Sequence, residues 1–452
     1  MEQKQDLRVA WFSPFPPQRC GIADFSLEMV TLLATRCDVD LFVDDIHPLA
    51  LQTAPCSVFH HLRFYALQQR KAYTHHVFQL GNSEYHHYLV PYLLAFPGIV
   101  MLHEGILHHA RAHYYLSCRD YRGYKKELLL NRENPRVDTI FELVSHGLGD
   151  DRVYRSAPMR ALFLRSASGA VVLQPELERR INKQHPGLPV CRLRSHFAPG
   201  LDDNGTPDSE LRRELGLRPS DFLLGVFGGV SRYKRINQLL QVMRLGFAGP
   251  QRVCLLIVGR ESENLKLAAR LRREQIATVM FLGYQPEKRF IALMKLCDLV
   301  VNLRYPSFGE VSAVALKAMG LGRPVMVYDT AQLADIPDNC LLRLAPNRYE
   351  APFLHQQIDF WRNRRQQLAQ IGANARAFVG SRHNLADQVD TLLAFIRQIP
   401  SRQPLGRSPL AAMTGHLKRN LEDIINDQVR QKGLPQKDEA EIRAFWRSVA
   451  AL

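Results

Sequence analysis

The sequence predicts an α/β chain built of two doubly wound parallel-sheet domains and a helical C-terminal extension. Three observations carry this. Short continuous apolar runs alternate with amphipathic stretches, as parallel strands covered on both faces by helices require. At 452 residues the chain is too long for one compact core. A polar segment rich in Pro, Gly and Asp, SHFAPGLDDNGTPDS, marks a boundary near residues 196–208.

The first series opens with a strand at Arg8–Phe12 and the loop SPFPPQRCGIADFS. Pro14, Pro16 and Pro17 exclude helix and regular strand there, and Gly21 allows close backbone approach before a helix from about Asp24 to Leu33. No GxGxxG or P-loop follows the strand, which disfavours dinucleotide binding and Walker-type chemistry. Strands are expected at Val39–Val43, Val77–Leu80 and Ile99–Leu102, with a helix over GNSEYHHYLVPYLL. His103 and Glu104 follow the third of these, with His108 and His109 about one helical turn beyond. By themselves they fit acid/base work, a sugar-hydroxyl pocket, a metal position or a structural role. The stretch from Arg111 to about Arg165 reads as helical and basic. Gly169–Leu173 and Val190–Leu193 are further strands around a helix at Pro175–Gln184, which has Pro at its first turn.

The second series begins after a short helix at Ser209–Leu215. Its strands are expected at Phe222–Phe227, Val253–Val258, Val279–Leu282, Leu299–Leu303, Val325–Val327 and Leu341–Leu344. The loop GGVSRYKR (228–235) follows the first of them and opens a helix. Two glycines and three cations, Arg232, Lys234 and Arg235, suit a diphosphate at a helix N-terminus or a solvated basic helix start. The stretch NLRYPSFGEVSAVALKAMGLGRPVMVY (302–328) reads as strand, loop, helix (Val311–Met319) and strand. Gly309 permits a tight turn, and Glu310 stands at the helix start, where ligands bind in open α/β sheets. The chain is then mostly helical from about Glu350 to Gln398. A linker and a charged amphipathic tail of two short helices, around Leu417–Ile425 and Ile442–Trp446, complete it.

A formal net charge of +15 suits an anionic partner such as nucleotide, phospholipid or acidic polysaccharide. No recognisable nucleic-acid-binding motif accompanies it, so nucleic acid is not expected. The eight cysteines are scattered, without CxxC pairs or Cys/His clusters at metal spacing, which supports neither a disulfide framework nor zinc. MEQKQDLRVAWF is polar and then becomes a strand, unlike a signal peptide, so a cytoplasmic protein is expected.

Taken in order, SPFPPQRCGIADFS, VFQLGN, VMLHEGILHH, FGGVSRYKRINQLL, LLIVGR, VMFLGYQP and PSFGEVSAVALKAMGLGRPVMV resemble the retaining, nucleotide-sugar-dependent glycosyltransferases of the GT-B fold. The likeness is to the large family that includes bacterial mannosyl- and glucosyltransferases of polysaccharide assembly, and it spans roughly residues 8 to 395. It implies two Rossmann-like domains facing a cleft, an N-terminal acceptor-side domain (1–200) and a nucleotide-sugar-binding domain (209–380). Residues 381–399 would form a crossover helix that packs back on the first domain, with residues 400–452 as linker and tail.

The resemblance also implies site residues. Gly21 matches the family's glycine loop, and His103 the histidine beside the reacting sugar, with Glu104 in place of the usual aspartate and His108 on the same acceptor side. Lys234 matches the lysine that neutralises the donor diphosphate. Gly229 stands where an arginine is usual, which leaves Arg232 or Arg235 as substitutes. Glu310 matches the first of two carboxylates that hold the donor, with Gly309, Val311 and Ser312 around it, and Lys317 occupies the second position. His103 and Glu310 are thus the implied catalytic pair. No DxD-type motif sits at a strand end, in keeping with metal-independent transfer, and no cofactor is expected beyond the nucleotide sugar as substrate. The acceptor implied is a glycan or lipid-linked glycan, with peripheral contact to an anionic inner membrane face. Two other readings stay open: a GT-B epimerase, and a catalytically degenerate sugar-binding or scaffold homologue marked by Gly229 and Lys317.

Overall fold

The computed structural model describes residues 7–18, 20–45, 54–131, 136–196, 208–261, 266–305, 307 and 312–400. They form two compact units. The first runs to Leu193 and resumes at Ala386; the second holds Arg194–Ser307 and Val311–Leu385. Gly309, Glu310 and Val311, the 197–207 part of the boundary segment and the tail beyond residue 400 lie outside the described residues.

The first unit is built on seven strands: β1 (Arg8–Phe12), β2 (Asp38–Val43), β3 (Ser57–His60), β4 (His75–Leu80), β5 (Ile99–Leu102), β6 (Gly169–Val172) and β7 (Val190–Arg192). Their order is β3-β2-β1-β4-β5-β6-β7, all parallel. Val9, Ala10, Trp11 and Phe12 of central β1 are fully buried, which is why the run is apolar without alternation. Phe12 stacks between Phe42 at 5.0 Å and Phe78 at 4.8 Å, with Phe64 edge-on. β3 is the strand that the sequence reading lacks. Its four residues, SVFH, are too short and too polar at both ends to stand out as an apolar run.

Helices α1 (Gly21–Leu33), α2 (Phe64–Lys71) and α3 (Val90–Ala95) connect these strands. The helix expected over 81–94 is a 3₁₀ segment, Glu84–Leu89, followed by α3. Pro91 explains the restart, since it lacks an N–H donor and is tolerated only in a first turn. The basic stretch expected as one helical region is five helices, α4 (His108–Ser117), α5 (Tyr121–Leu130), α6 (Val137–Ser145), α7 (Asp151–Ser156) and α8 (Ala161–Ser166). Left-handed residues at Arg119, Gly147 and Met159 stand at three of the four breaks between them. Ala112, Tyr115, Tyr124, Leu128, Ile140 and Val144 give this insertion a small core of its own. Helix α9 (Pro175–Gln184) then leads to β7.

The second unit has six strands: β8 (Phe222–Phe227), β9 (Val253–Val258), β10 (Val279–Gly283), β11 (Leu299–Asn302), β12 (Val325–Tyr328) and β13 (Leu342–Leu344). The order β10-β9-β8-β11-β12-β13 is again wholly parallel. Its helices are α10 (Asp208–Glu214), α11 (Ile236–Leu245), α12 (Leu267–Glu274), α13 (Glu287–Leu296), α14 (Ala313–Gly320), α15 (Glu350–Arg362) and α16 (Arg365–Arg382). Helix α14 begins two residues later than the sequence pattern suggests, because Ser312 caps it by accepting a hydrogen bond from the Ala315 N–H at 3.2 Å. Helix α17 (Leu385–Gln398), save for its first residue, belongs to the first unit. There Phe395 and Ile399 lie against Gly169, where any side chain would collide with them. His75 Nε2 meets the Ile399 carbonyl at 2.8 Å.

Among the described residues no helix is long and apolar enough to cross a membrane.

Candidate functional site

In a doubly wound sheet the loops diverge where strand order reverses, and the crevice beyond the strand carboxyl ends takes the ligand. The reversal falls between β1 and β4 in the first unit and between β8 and β11 in the second. Among the described residues, Gly21 follows β1, His103 and Glu104 follow β5, and Arg232, Lys234 and Arg235 follow β8.

In the first unit, α1 starts directly after the β1 loop. Gly21 is its first residue, exposed, with nothing within 4 Å of where a Cβ would stand. Its backbone is not left-handed, so neither a turn nor packing requires a glycine there. His103 follows β5, its N–H bonded to the Leu80 carbonyl at 3.1 Å and its ring edge-on to Phe25 at 4.8 Å. Its Nε2 bonds the Gln79 side-chain oxygen. A neutral ring that donates from Nε2 carries its lone pair on Nδ1. Glu104 Oε1 accepts from the Asn82 N–H at 3.2 Å. Asn82 also bridges to His109 Nδ1 at 3.1 Å and to the Ala110 N–H at 3.0 Å, tying the β4 loop to α4.

His108, expected on the acceptor side, faces the other way. It is fully buried, with Nε2 on the Tyr124 hydroxyl at 2.6 Å and Nδ1 on the Tyr154 carbonyl at 3.1 Å. Both ring nitrogens are therefore used in packing α4 against α5 and α7, and neither is offered to a ligand. Its place at the first turn of a partly buried helix is what turns it inward.

Sequence reasoning missed His86 and Gly81. His86 Nδ1 meets the Gln79 carbonyl at 2.8 Å, while its Nε2 is buried without a partner. A Cβ on Gly81 would stand 2.6 Å from that nitrogen, so only glycine fits. Burial pushes His86 down to about 4, as it does His76, His87 and His108, which keeps all four neutral at pH 7. The unfolded chain binds their protons near pH 6.5, before the folded chain does, so stability rises with pH between about 4 and 6.5. Melting temperature should thus hold above pH 6.5 and fall steeply as pH drops toward 4; a flat profile across that window would refute neutral burial of these rings.

In the second unit the β8 loop is organised by glycines. Gly228 is left-handed at φ +79°, and a Cβ on it would stand 3.1 Å from both Lys234 Nζ and Val314 of α14. Gly259, at φ +151° after β9, packs its Cα directly on the Gly228 carbonyl. The Val230 N–H bonds the Arg260 carbonyl at 2.7 Å. Gly259→Ala would drive a methyl group into that carbonyl, so it should cost about 1–3 kcal/mol and dislodge the loop. Thermal melts and nucleotide binding of the variant check this; wild-type values for both would show that the contact is dispensable.

Lys234 is 5% exposed, and its ammonium donates to the Phe227 carbonyl at 2.6 Å. Ser231, just upstream, holds a buried hydroxyl without a hydrogen-bond partner. Both lie in the loop that follows the carboxyl end of β8. Arg232 is exposed. Arg235, in left-handed backbone at φ 59°, instead forms a two-pronged pair with Glu350, Nε to Oε1 at 2.6 Å. The pair, backed by the Tyr328 hydroxyl on the same carboxylate, holds the guanidinium above its usual range. Arg235 is thus committed to the N-terminus of α15, and its charge is already balanced.

Ser312 is likewise committed: besides capping α14 it accepts from Asn302 Nδ2 at 2.7 Å, which pins the helix start to the end of β11. Lys317 pairs with Glu287 at 2.5 Å. The Tyr305 N–H meets the Tyr233 carbonyl at 2.9 Å, so the β8 and β11 loops touch at the reversal point.

Residues 207–378 match the family model described as "Glycosyl transferases group 1". Several solved structures share the fold. HepE of Anabaena, determined in complex with UDP, is 18% identical with a TM-score of 0.61, over 86% of this chain and 100% of that one. Sucrose-phosphate synthase of Thermosynechococcus elongatus is 17% identical with a TM-score of 0.60, over 87% and 98%. WaaG, a glycosyltransferase involved in lipopolysaccharide biosynthesis, is 15% identical with a TM-score of 0.57, over 86% and 100%. Each of the two units therefore has the parallel-sheet architecture of the GT-B fold, as the resemblance implied. No curated protein sequence matches the chain.

Proposed function

We propose that the chain is a retaining glycosyltransferase that moves a hexose from a nucleoside-diphosphate sugar to a glycan or lipid-linked acceptor without a metal ion. The observation that carries this reading is the buried Lys234 at the glycine-organised β8 loop, within the segment that matches the group 1 family model. Cleavage of a glycosyl–phosphate bond leaves positive charge on the anomeric carbon and added negative charge on the diphosphate. Lys234, the neighbouring backbone N–H groups and the N-terminus of α14 supply fixed positive charge for the second of these. The orphaned Ser231 hydroxyl is a ready donor to a phosphate oxygen. His103, through Nδ1, takes a sugar hydroxyl, and Glu310 orients the donor sugar, both as the family resemblance implies. Because HepE was determined with UDP and with UDP-glucose, a UDP-sugar is the first donor to try. A net charge of +15 supports peripheral contact with anionic lipid at the inner membrane face, where a lipid-linked acceptor would lie. Liposome flotation at low and high salt reads that contact.

The direct test is incubation with a panel of nucleoside-diphosphate sugars, with and without EDTA. Release of nucleoside diphosphate, unaffected by EDTA, is expected. Binding without turnover would move the reading to a sugar-binding homologue, and activity abolished by EDTA would overturn the metal-free step.

A further inference from the structure

Strand β4 holds one fully buried glutamine, Gln79, in its otherwise apolar carboxyl half. β4 and β5 pair in parallel with Gln79 opposite Met101, so the two side chains share a face of the sheet. His103, two residues past Met101, returns to that face at the diagonal position. The backbone keeps the register beyond the end of β5, since the His103 N–H bonds the Leu80 carbonyl at 3.1 Å. A long side chain spans such a diagonal, and the Gln79 side-chain oxygen meets His103 Nε2.

The backbone of Gln79 is fixed as well. Its carbonyl accepts from His86 Nδ1 at 2.8 Å, and the His86 ring packs so close to Gly81 that a Cβ there would stand 2.6 Å from Nε2. Stability alone does not call for an amide at this position. Its oxygen is matched, but its Nε2 is buried with no protein hydrogen-bond partner, and an unmatched buried donor offsets what the oxygen gains. What the amide supplies, and an apolar side chain does not, is an uncharged acceptor for His103. An amide oxygen takes the Nε2 proton without favouring the imidazolium, as a carboxylate in its place would.

We propose that Gln79 is a positioning residue for glycosyl transfer: it holds His103 neutral with the proton on Nε2, so that Nδ1 presents its lone pair to a hydroxyl of the donor sugar. A protonated ring would offer N–H at both nitrogens and could only donate to that hydroxyl. The use of the lone pair rests on the glycosyltransferase reading; the place of the proton does not, and is measurable without substrate. The other titratable groups around this network are Glu104, turned to the Asn82 N–H, and His86, kept neutral by burial. At the start of α1, Cys20 and Asp24 complete the set, with the Cys20 thiol pushed up by burial and by both nearby carboxylates.

The test uses the full chain with nitrogen-labelled histidine, His103→Asn identifying the His103 signals. NMR reads its tautomer and titration, and nucleoside diphosphate release reads kcat against pH. The wild-type ring is expected to be neutral at pH 7 with its proton on Nε2. Gln79→Glu sets a carboxylate on that proton, so the His103 titration and the acid limb of kcat should both move up by at least about one pH unit. At pH 7 kcat should then fall by about threefold or more. Gln79→Met removes the acceptor without adding charge. It should shift the His103 nitrogen signals and lower kcat severalfold across the pH range, while melting close to wild type. A wild-type ring protonated on Nδ1 would overturn the proposal, as would a His103 titration that Gln79→Glu leaves in place. A titration that moves while the pH dependence of kcat does not would remove the positioning role. Should Gln79→Glu fail to fold, Gln79→Met decides, and unchanged nitrogen signals or unchanged kcat there would overturn the proposal. If the wild type turns over no donor, the glycosyltransferase reading fails and donor affinity across the same pH range replaces kcat; with no donor binding either, the positioning role falls whatever the tautomer.

Discussion

Lys234→Ala should lower the rate of nucleoside diphosphate release by about 10²–10³-fold, the cost of removing one preorganised donor from a developing oxyanion. The reasoning starts from burial. An ammonium only 5% exposed is held by the protein rather than by water, with the Phe227 carbonyl among its partners. A diphosphate gains charge as the glycosyl bond breaks, so a fixed cation beside it acts more strongly in the transition state than in the ground state. The loss should accordingly fall on kcat more than on KM. Lys234→Arg is not expected to rescue it. The buried ammonium donates to the Phe227 carbonyl as a compact point charge, a place that a planar guanidinium on a longer stem does not reproduce. Measurement is by coupled assay of nucleoside diphosphate at saturating donor. A folded Lys234→Ala variant that keeps turnover within a few-fold of wild type would place the diphosphate elsewhere. Glu310→Ala in the same assay tests the carboxylate that family resemblance assigns to the donor sugar.

The strands were legible because buried parallel strands are written as unbroken apolar runs. Phe222–Phe227 and Val253–Val258 have the bounds read from sequence, while Ser57–His60, half polar, was invisible. Lys234 and His103 lie where the sequence places them, in the loops that follow β8 and β5. The site was not legible where a residue's meaning depends on what it packs against. Arg235 reads as a free cation until the fold brings Glu350, far along the chain, to its guanidinium. His108 reads as a site histidine until Tyr124 and Tyr154 close over it. Asn82 and His86 have no motif to mark them; Asn82 meets Glu104 only because β4 and β5 are neighbours, and His86 folds back on the Gln79 carbonyl of β4. Ser312 is the intermediate case, since a serine immediately ahead of an apolar helical run is a recognisable cap once the helix start is placed correctly.

Glu127→Ala should destabilise the first unit by about 3–5 kcal/mol, the largest stability effect expected from one substitution in that unit. Glu127 is fully buried on α5, and its carboxylate meets Arg111 of α4, Nη2 to Oε2, at 2.7 Å. The Tyr115 hydroxyl donates to the same oxygen at 2.7 Å. Burial alone would push the Arg111 guanidinium toward neutrality, but the Glu127 carboxylate outweighs this and holds it above its usual range. Truncating the acid leaves a guanidinium stranded, 2% exposed, with Nη1 already lacking a partner. The cost is therefore that of an uncompensated buried cation rather than of one lost hydrogen bond. Removing both charges is a different experiment. Arg111→Met/Glu127→Leu should recover most of the loss, because an apolar pair of similar volume avoids the desolvation penalty. Thermal melts followed by circular dichroism read both, with a shift on the order of 10 °C for the single variant. Should the double variant be as unstable as the single one, the pair's contribution would lie in its hydrogen-bond geometry. Activity is expected to follow stability here, since α4 begins at His108 and its next residues, His109 and Ala110, hold Asn82 beside Glu104. Loosening α4 would release that network before it unfolds the sheet.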